Sequence, residues 1–317
     1  MCGLVGLVYR GQNGMFGSDV SIFTDLLYMD ALRGEDSVGI AALFTDNSMH
    51  MLKESITPVS YFLASKEWEK LDKKLIKNGK AIIGHNRKAT KGQISDENAH
   101  PWLIDNKYLF IHNGTLHNHK TALRDTEVDS EALGEALCRC DGDVEKMGEI
   151  LGKIYGAYAC IWIDQEKQRL YAIRNKERPL WIGKTNTQIL FASEVGMMLT
   201  AAMRNTSAIT EHEQLEEDTL YELKLDEYTS HWTKTKVTIK KAQPILTKAS
   251  RKNGRNNFTG ATGNNTGYDI FFQGTPSAKS AKKFRYAFAG AKINFWVDSC
   301  FPSKSTTADG KQVWVVK

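Results

Sequence analysis

No stretch of this 317-residue chain approaches the roughly 18–20 consecutive apolar residues that a membrane-crossing helix requires. The opening Met1-Cys2-Gly3-Leu4-Val5-Gly6-Leu7-Val8 is apolar but short, with no basic residue ahead of it and no cleavage site after it. Neither a membrane span nor a secretory signal is expected, and the chain is assigned to the cytoplasm. Cysteine is scarce: Cys2, Cys138, Cys140, Cys160 and Cys300 are odd in number and widely spread, in a chain too large to need covalent staples. A disulfide framework is therefore not expected. Cys138-Arg139-Cys140 is poor zinc spacing, so the pair reads as helix residues, one of them half-buried, and no metal is expected. No G-x-x-x-x-G-K-S/T loop is present, which argues against a phosphate cradle of that type.

Acidic residues run out towards the C-terminus. Residues 245–317 hold 12 Lys and Arg against 3 Asp and no Glu, whereas the rest of the chain holds 30 basic and 34 acidic residues. A mildly acidic body thus bears a basic tail, which suits nucleic acid, an acidic protein surface or simple solubility.

Periodicity divides the chain. Short β-rich runs bounded by Gly or polar turns predict strands at 3–9, 38–44, 81–85, 108–112, 157–163, 169–173, 180–183, 189–192 and 220–225. Helical spacing predicts helices at 20–32 (Ile22, Phe23, Leu26 and Leu27 on one face), 68–77, 130–137 and 144–154, with another beginning near Glu194. Such alternation predicts layered sheets flanked by helices over residues 2–245. Residues 246–267 are rich in Asn and Gly and almost free of apolar side chains, which predicts a linker or long loop. Residues 268–317, with short alternating runs at 268–273, 284–289, 293–297 and 312–316, predict a small basic β-rich appendage.

The chemistry gathers near the beginning. Met1 precedes a small residue, and its removal would leave a chain starting at Cys2, with thiol and α-amine on one residue. The thiol titrates near ~8.5 and the amine near ~7.7–8.0, so the amine can take the thiol proton at neutral pH. Polar clusters follow where strands end and helices begin: Arg33-Gly34-Glu35-Asp36-Ser37-Val38-Gly39, Gly84-His85-Asn86-Arg87-Lys88-Ala89-Thr90-Lys91-Gly92, Asn98-Ala99-His100-Pro101, His112-Asn113-Gly114 and Asp129-Ser130-Glu131. Weaker echoes continue in Gly156-Ala157-Tyr158-Ala159, Arg178-Pro179-Leu180 and Phe191-Ala192-Ser193-Glu194.

In this order the clusters resemble the glutaminase domain of class II glutamine amidotransferases, N-terminal-nucleophile hydrolases of the kind found in glucosamine-6-phosphate synthase and amidophosphoribosyltransferase. The resemblance covers about residues 2–240. It implies an α+β fold, a four-layer αββα sandwich, here carrying the C-terminal appendage. It also implies that Cys2 attacks the glutamine side-chain amide through a thioester. The Asn113 side-chain amide and the Gly114 N–H would donate to the oxyanion. Arg87 would hold the substrate α-carboxylate by a bidentate fork and Asp129 its α-ammonium, with Thr90 and His112 also assigned to the substrate. Arg33 and Asp36 would organise the Cys2 loop. His85, His100 and His112 are read as satisfied polar or packing histidines, and His117 and His119 lie on a stretch expected to be exposed. No cofactor is implied. Two positions depart from the family: Lys88 stands where an aromatic usually follows the substrate-binding Arg, and Lys91 follows in the same loop, which closes over glutamine in relatives.

No sugar-isomerase half or phosphoribosyl-pyrophosphate motif accompanies these residues, so the expected partner is a separate ammonia-accepting synthase or ligase. Two other readings remain: a hydrolase of another amide, and a binding module. The latter draws on 279–296, where Lys282, Lys283 and Arg285 alternate with Phe284, Tyr286 and Phe288 in a manner suited to single-stranded nucleic acid. A docking element is favoured over nucleic-acid binding for that segment.

Overall fold

The computed structural model describes residues 2–225 and 231–240, together with the backbone of two short strands at 303–306 and 312–315. The chain divides into two compact units, Met1–Ala242 and Gln243–Lys317. In the second unit Ser303–Thr306 pairs antiparallel with Gln312–Val315. The expected linker at 246–267, the strands at 268–273, 284–289 and 293–297, and the basic aromatic segment 279–296 lie outside the described residues.

Among the described residues of the first unit, the strands form two antiparallel sheets. One takes β1 (Gly3–Tyr9), β2 (Ser37–Phe44), β3 (Met49–Ser55), β4 (Gly79–Arg87), β9 (Trp181–Lys184), β10 (Gln188–Ala192) and β11 (Glu211–Gln214), in the order β11-β9-β10-β1-β4-β2-β3. The other takes β5 (Trp102–Ile104), β6 (Tyr108–Leu116), β7 (Gly156–Asp164), β8 (Arg169–Arg174), β12 (Thr219–Lys224) and β13 (Trp232–Lys236), in the order β13-β12-β8-β7-β6-β5. Side chains alternate across each strand. Leu4 and Val8 of β1, Ile83 of β4, and Leu109 and Ile111 of β6 fill the space between the sheets. Val5 and Leu7 of β1 and Ile82 of β4 point the other way, into a core shared with helices.

Those helices are α1 (Gly17–Asp30), α3 (Lys66–Asn78) and α7 (Val195–Arg204), which bury Ile22, Phe23, Leu26, Leu71, Leu75, Met198 and Ala201 against the first sheet. On the far side α5 (Asp129–Cys138) and α6 (Val144–Leu151) bury Leu133, Leu137, Met147 and Leu151 against Phe110 and Trp162. Helix, sheet, sheet, helix is the four-layer αββα sandwich expected from the sequence. Single turns α2 (Val59–Phe62) and α4 (His119–Ala122) complete the unit. Among the described residues no helix is long and apolar enough to cross a membrane.

The strands that periodicity did not predict are β3, β5, β11 and β13, the four edges of the two sheets. Their side chains are largely half-buried or exposed, so they lack the apolar alternation that marks an interior strand. Conversely, β4 runs on to Arg87 and β6 to Leu116, beyond the expected ends at 85 and 112. Arg87, Asn113 and Gly114 therefore sit within paired strands rather than in turns after them. Cys138 and Cys140 are both buried, not one of them half-exposed.

Phe23, fully buried on α1, anchors that helix to the first sheet. Replacing it with Ala should cost about 3–5 kcal/mol in urea denaturation; a loss below about 1 kcal/mol would contradict this packing.

Candidate active site

β1 lies in the middle of its sheet, with β10 on one side and β4 on the other. Its first residues are fixed by more than the ladder. Leu4 N–H donates to Ser193 Oγ at 2.8 Å, and Ser193 N–H donates to Leu4 O at 2.9 Å. Arg33 donates from Nε to Cys2 O at 3.0 Å, and its guanidinium also pairs with Glu194. The Cys2 thiol is held by a single residue: Sγ accepts from Lys88 N–H at 3.1 Å and its S–H donates to Lys88 O at 3.3 Å. Burial pushes the thiol above its ordinary range, and the Lys88 N–H and the nearby Arg87 charge offset only part of that rise. The thiol is consequently protonated at neutral pH, and attack requires a base.

Opposite Cys2 stands an incomplete sheet edge. β5 begins only at Trp102 and pairs only with Tyr108, Leu109 and Phe110, leaving the outer edge of β6 beyond Phe110 without a strand partner. Tyr158 of β7, in register with Gly114, directs both its backbone groups elsewhere: its N–H donates to Asn175 Oδ1 at 3.2 Å and its O accepts from Asn175 N–H at 2.9 Å. The Gly114–Tyr158 pair is thus a non-hydrogen-bonded one, and the Gly114 N–H points to the open edge. Its neighbours on that edge are engaged. His112 O accepts from His85 Nε2 at 3.0 Å, and Leu116 N–H donates to Asp129 Oδ2 at 2.6 Å. The Gly114 N–H lies between them on that edge. Glycine is required here, because a Cβ would stand 1.9 Å from Ala157 O and 2.4 Å from His112 Nε2. Asn113, one residue earlier, shares the inter-sheet face with Leu109 and Ile111, and its Nδ2 is buried without a partner among the described residues.

The segment after β4 folds back over this space. Arg87 donates from one terminal nitrogen to Lys91 O at 2.6 Å and from the other to Gln93 O at 3.0 Å, so its fork is engaged by its own loop rather than free for a carboxylate. Thr90 Oγ1 lies 2.9 Å from Thr115 Oγ1, Gln93 N–H donates to Glu127 at 2.7 Å, and Lys91 Nζ donates to His119 Nδ1 at 3.3 Å. Asp36 accepts from Lys88 Nζ at 2.9 Å and from Ala89 N–H at 2.8 Å, so it bonds the residue that holds the Cys2 thiol, while Arg33 bonds Cys2 O directly. Burial alone would raise the Asp36 carboxyl, but the Lys88 ammonium holds it below its usual range. The cleft that remains, lined by Cys2, Arg87, Thr90, His112, Gly114 and Asp129 among others, has ≈ 10 Å³ of room, about enough for one water.

Behind the cleft sit three buried histidines. His85 packs against His100 with ring centroids 3.9 Å apart and planes tilted by 47°, and His112 Nδ1 lies 2.9 Å from Ser130 Oγ. His100 is buried, and neither of its ring nitrogens has a hydrogen-bond partner among the described residues. His119, expected on an exposed stretch, is buried, and its Nε2 donates to Thr126 O at 3.1 Å. No group of three or more His, Cys, Asp or Glu is placed to hold a metal among the described residues. Sequence reasoning also missed Asp30, a fully buried carboxyl at the end of α1. A signal was available: Asp30 lies three and four residues after Leu27 and Leu26, on the apolar stripe of its helix.

Burial drives His85 down to about 3 and lowers His100 and His112 as well. An unfolded histidine titrates near ~6.5, so below that pH the unfolded chain binds more protons. The stability these rings contribute is full above about pH 6.5 and is lost as pH falls towards 3. Asp30, raised to about 7 by burial, works in the opposite sense and loses stability as pH rises through 7. Urea titrations at stepped pH should show stability falling from pH 6.5 to 4.5. His85→Gln should flatten that fall by up to about 1.4 kcal/mol per pH unit; an unchanged slope would contradict the neutral, buried assignment.

Residues 85–200 match the family model described as a glutamine amidotransferase domain. The glutamine–fructose-6-phosphate aminotransferase of Caldanaerobacter subterraneus is 30% identical over 225 residues, 67% of this chain and 34% of that protein. The Chlamydia muridarum enzyme of the same name is 29% identical over 213 residues, 63% of this chain and 33% of that one. The chain thus spans about a third of the length of these curated relatives. Among solved structures, the Bacillus subtilis glutamine phosphoribosylpyrophosphate amidotransferase superposes with a TM-score of 0.55 at 20% identity, over 74% of this chain and 49% of that one. An allosteric regulatory enzyme of purine biosynthesis gives a TM-score of 0.57 at 20% identity, over 76% and 50%. Sandwich, site motifs and family match agree on a glutamine amidotransferase domain similar to those of the class II enzymes.

Proposed function

We propose that this domain hydrolyses the side-chain amide of glutamine with Cys2, freed at its α-amine by removal of Met1, as nucleophile. The observation that carries the reading is the buried Asn113 Nδ2, a donor without a partner among the described residues, next in sequence to Gly114, which lines the cleft with Cys2 and whose N–H points to the open edge. A donor without an acceptor in the resting site is what a developing oxyanion needs. The α-amine takes the thiol proton, Sγ bonds to the amide carbon, and the oxyanion accepts from Asn113 and Gly114. Collapse expels ammonia, which takes up a proton, and leaves a thioester that water opens to glutamate.

Substrate entry requires the loop after β4 to move. Arg87 must release Lys91 O and Gln93 O before it can grip an α-carboxylate, and the ≈ 10 Å³ cleft must widen. Asp129 serves the α-ammonium while its Oδ2 stays on Leu116 N–H. Thr90 and His112 line the same space. The ammonia passes to an acceptor distinct from this domain, a synthase or ligase. The matched relatives are named for amino transfer to fructose 6-phosphate in chains about three times longer than the matched segment.

Protein verified to begin at Cys2 should release glutamate from glutamine. Cys2→Ala should abolish release, and Asn113→Ala should lower kcat by about 10²–10³ with a smaller change in KM. Release that survives Cys2→Ala, or an Asn113→Ala effect confined to KM, would contradict these roles.

A further inference from the structure

Asp30 is a charged residue on the apolar stripe of α1, fully buried, with one carboxyl oxygen in use. Oδ2 accepts from Asn86 Nδ2 at 3.1 Å, while Oδ1 has no hydrogen-bond partner among the described residues. The carboxyl lies on the main chain of Gly3: a Cβ built there would stand 1.8 Å from Oδ1 and 2.3 Å from Oδ2. Gly3 is a glycine because Asp30 occupies the place of its side chain. Gly3 faces the helices with Val5 and Leu7, whereas Cys2 is on the face that Leu4 shares. Asp30 therefore approaches the first residues of β1 from the helix side and the thiol lies on the cleft side, and the Cys2 nitrogen is one residue back along the chain from Gly3. A buried carboxyl oxygen without a donor is costly. While residue 1 remains attached, that nitrogen is an amide; once it is removed, the nitrogen becomes an amine with N–H groups to give.

We propose that Asp30 is the positioning residue for the Cys2 α-amine, its free Oδ1 accepting an N–H and turning the nitrogen lone pair towards Sγ. This rests on the glutaminase reading for the free α-amine. The charged and titratable groups facing the pair are Arg33, which also holds Cys2 O, Glu194 on Arg33, the Cys2 thiol, and Arg87 from the cleft side. Burial pushes the carboxyl up to about 7 with residue 1 in place, and a free α-amine beside it titrates coupled to it. When protonated, Asp30 donates to the nitrogen lone pair and blocks it. When ionised, it accepts from the amine and leaves the lone pair to take the thiol proton; Asp30 itself neither gains nor loses a proton in that step.

The test is the rate of Cys2 alkylation by iodoacetamide from pH 5.5 to 9.5, read on the N-terminal peptide of full-length protein beginning at Cys2. Asp30→Asn should move the acid limb of that profile to lower pH by about 1 unit. It should also lower kcat for glutamine about tenfold, with KM within about twofold. A limb that stays in place, or a KM that rises in step with the loss, would overturn the proposal. A second measurement needs no substitution. Followed by carbon NMR, the Asp30 carboxyl should titrate at higher pH in protein that retains Met1 than in the processed chain, because the α-ammonium favours the ionised form; equal values would overturn it. Turnover by the wild type separates the two claims. A moved limb without glutamate release leaves Asp30 in place and removes the glutaminase, whereas release with an unmoved limb removes only Asp30.

Discussion

Backbone groups on a strand whose neighbour stops early must find other partners, and this constraint shapes the site. β5 is three residues long, so beyond Phe110 the outer edge of β6 has no ladder. The fold meets the need with side chains: His85 from the other sheet reaches His112 O, and Asp129 at the start of α5 reaches Leu116 N–H. Each of these bonds also positions its owner. His85 ties the two sheets together, and Asp129 brings the first turn of α5 to the mouth of the cleft. The Gly114 N–H lies on the same edge between the two, in the wall of the cleft that holds Cys2.

The nucleophile depends on a second constraint, that a chain end usually frays. Here the end enters the middle of a seven-stranded sheet from Gly3 onward, with Ser193, Arg33 and Lys88 each adding a bond to Leu4 or Cys2. Cys2 is thereby tied at its carbonyl by Arg33 and at its thiol by Lys88. The same central position explains the burial that raises the thiol. A raised thiol needs a base at close range, and the α-amine of a processed Cys2 is the closest that chemistry offers.

Much of this was legible in the sequence, and the reasons differ by element. β1, β10 and α1 declare themselves because burial on one or both faces writes a period into the residues, as in Ile22, Phe23, Leu26 and Leu27. The edge strands β3, β11 and β13 are wet on at least one side and carry no such period. Motif order brought Cys2, Arg87, His112, Gly114 and Asp129 to one cleft without any structure. What spacing could not tell was how those groups are employed at rest. The Arg87 fork closes on carbonyls four and six residues ahead, and Asp36 reaches Cys2 only through Lys88 and Ala89. His119 belongs with these: a one-turn helix buries it beneath Lys91, and one turn leaves no pattern to read. Asp30 and Glu194 act through residues more than 150 positions apart or across a sheet, where a single sequence carries no trace of contact.

The central claim is that Cys2 is the residue that reacts with a glutamine-shaped electrophile. A glutamine analogue bearing a diazoketone in place of the amide offers that test, with the modified peptide located by mass spectrometry. One equivalent of adduct on Cys2, suppressed by excess glutamine and absent from the other cysteines, is the predicted result. No adduct on protein beginning at Cys2, or an adduct that glutamine does not suppress, would contradict the account.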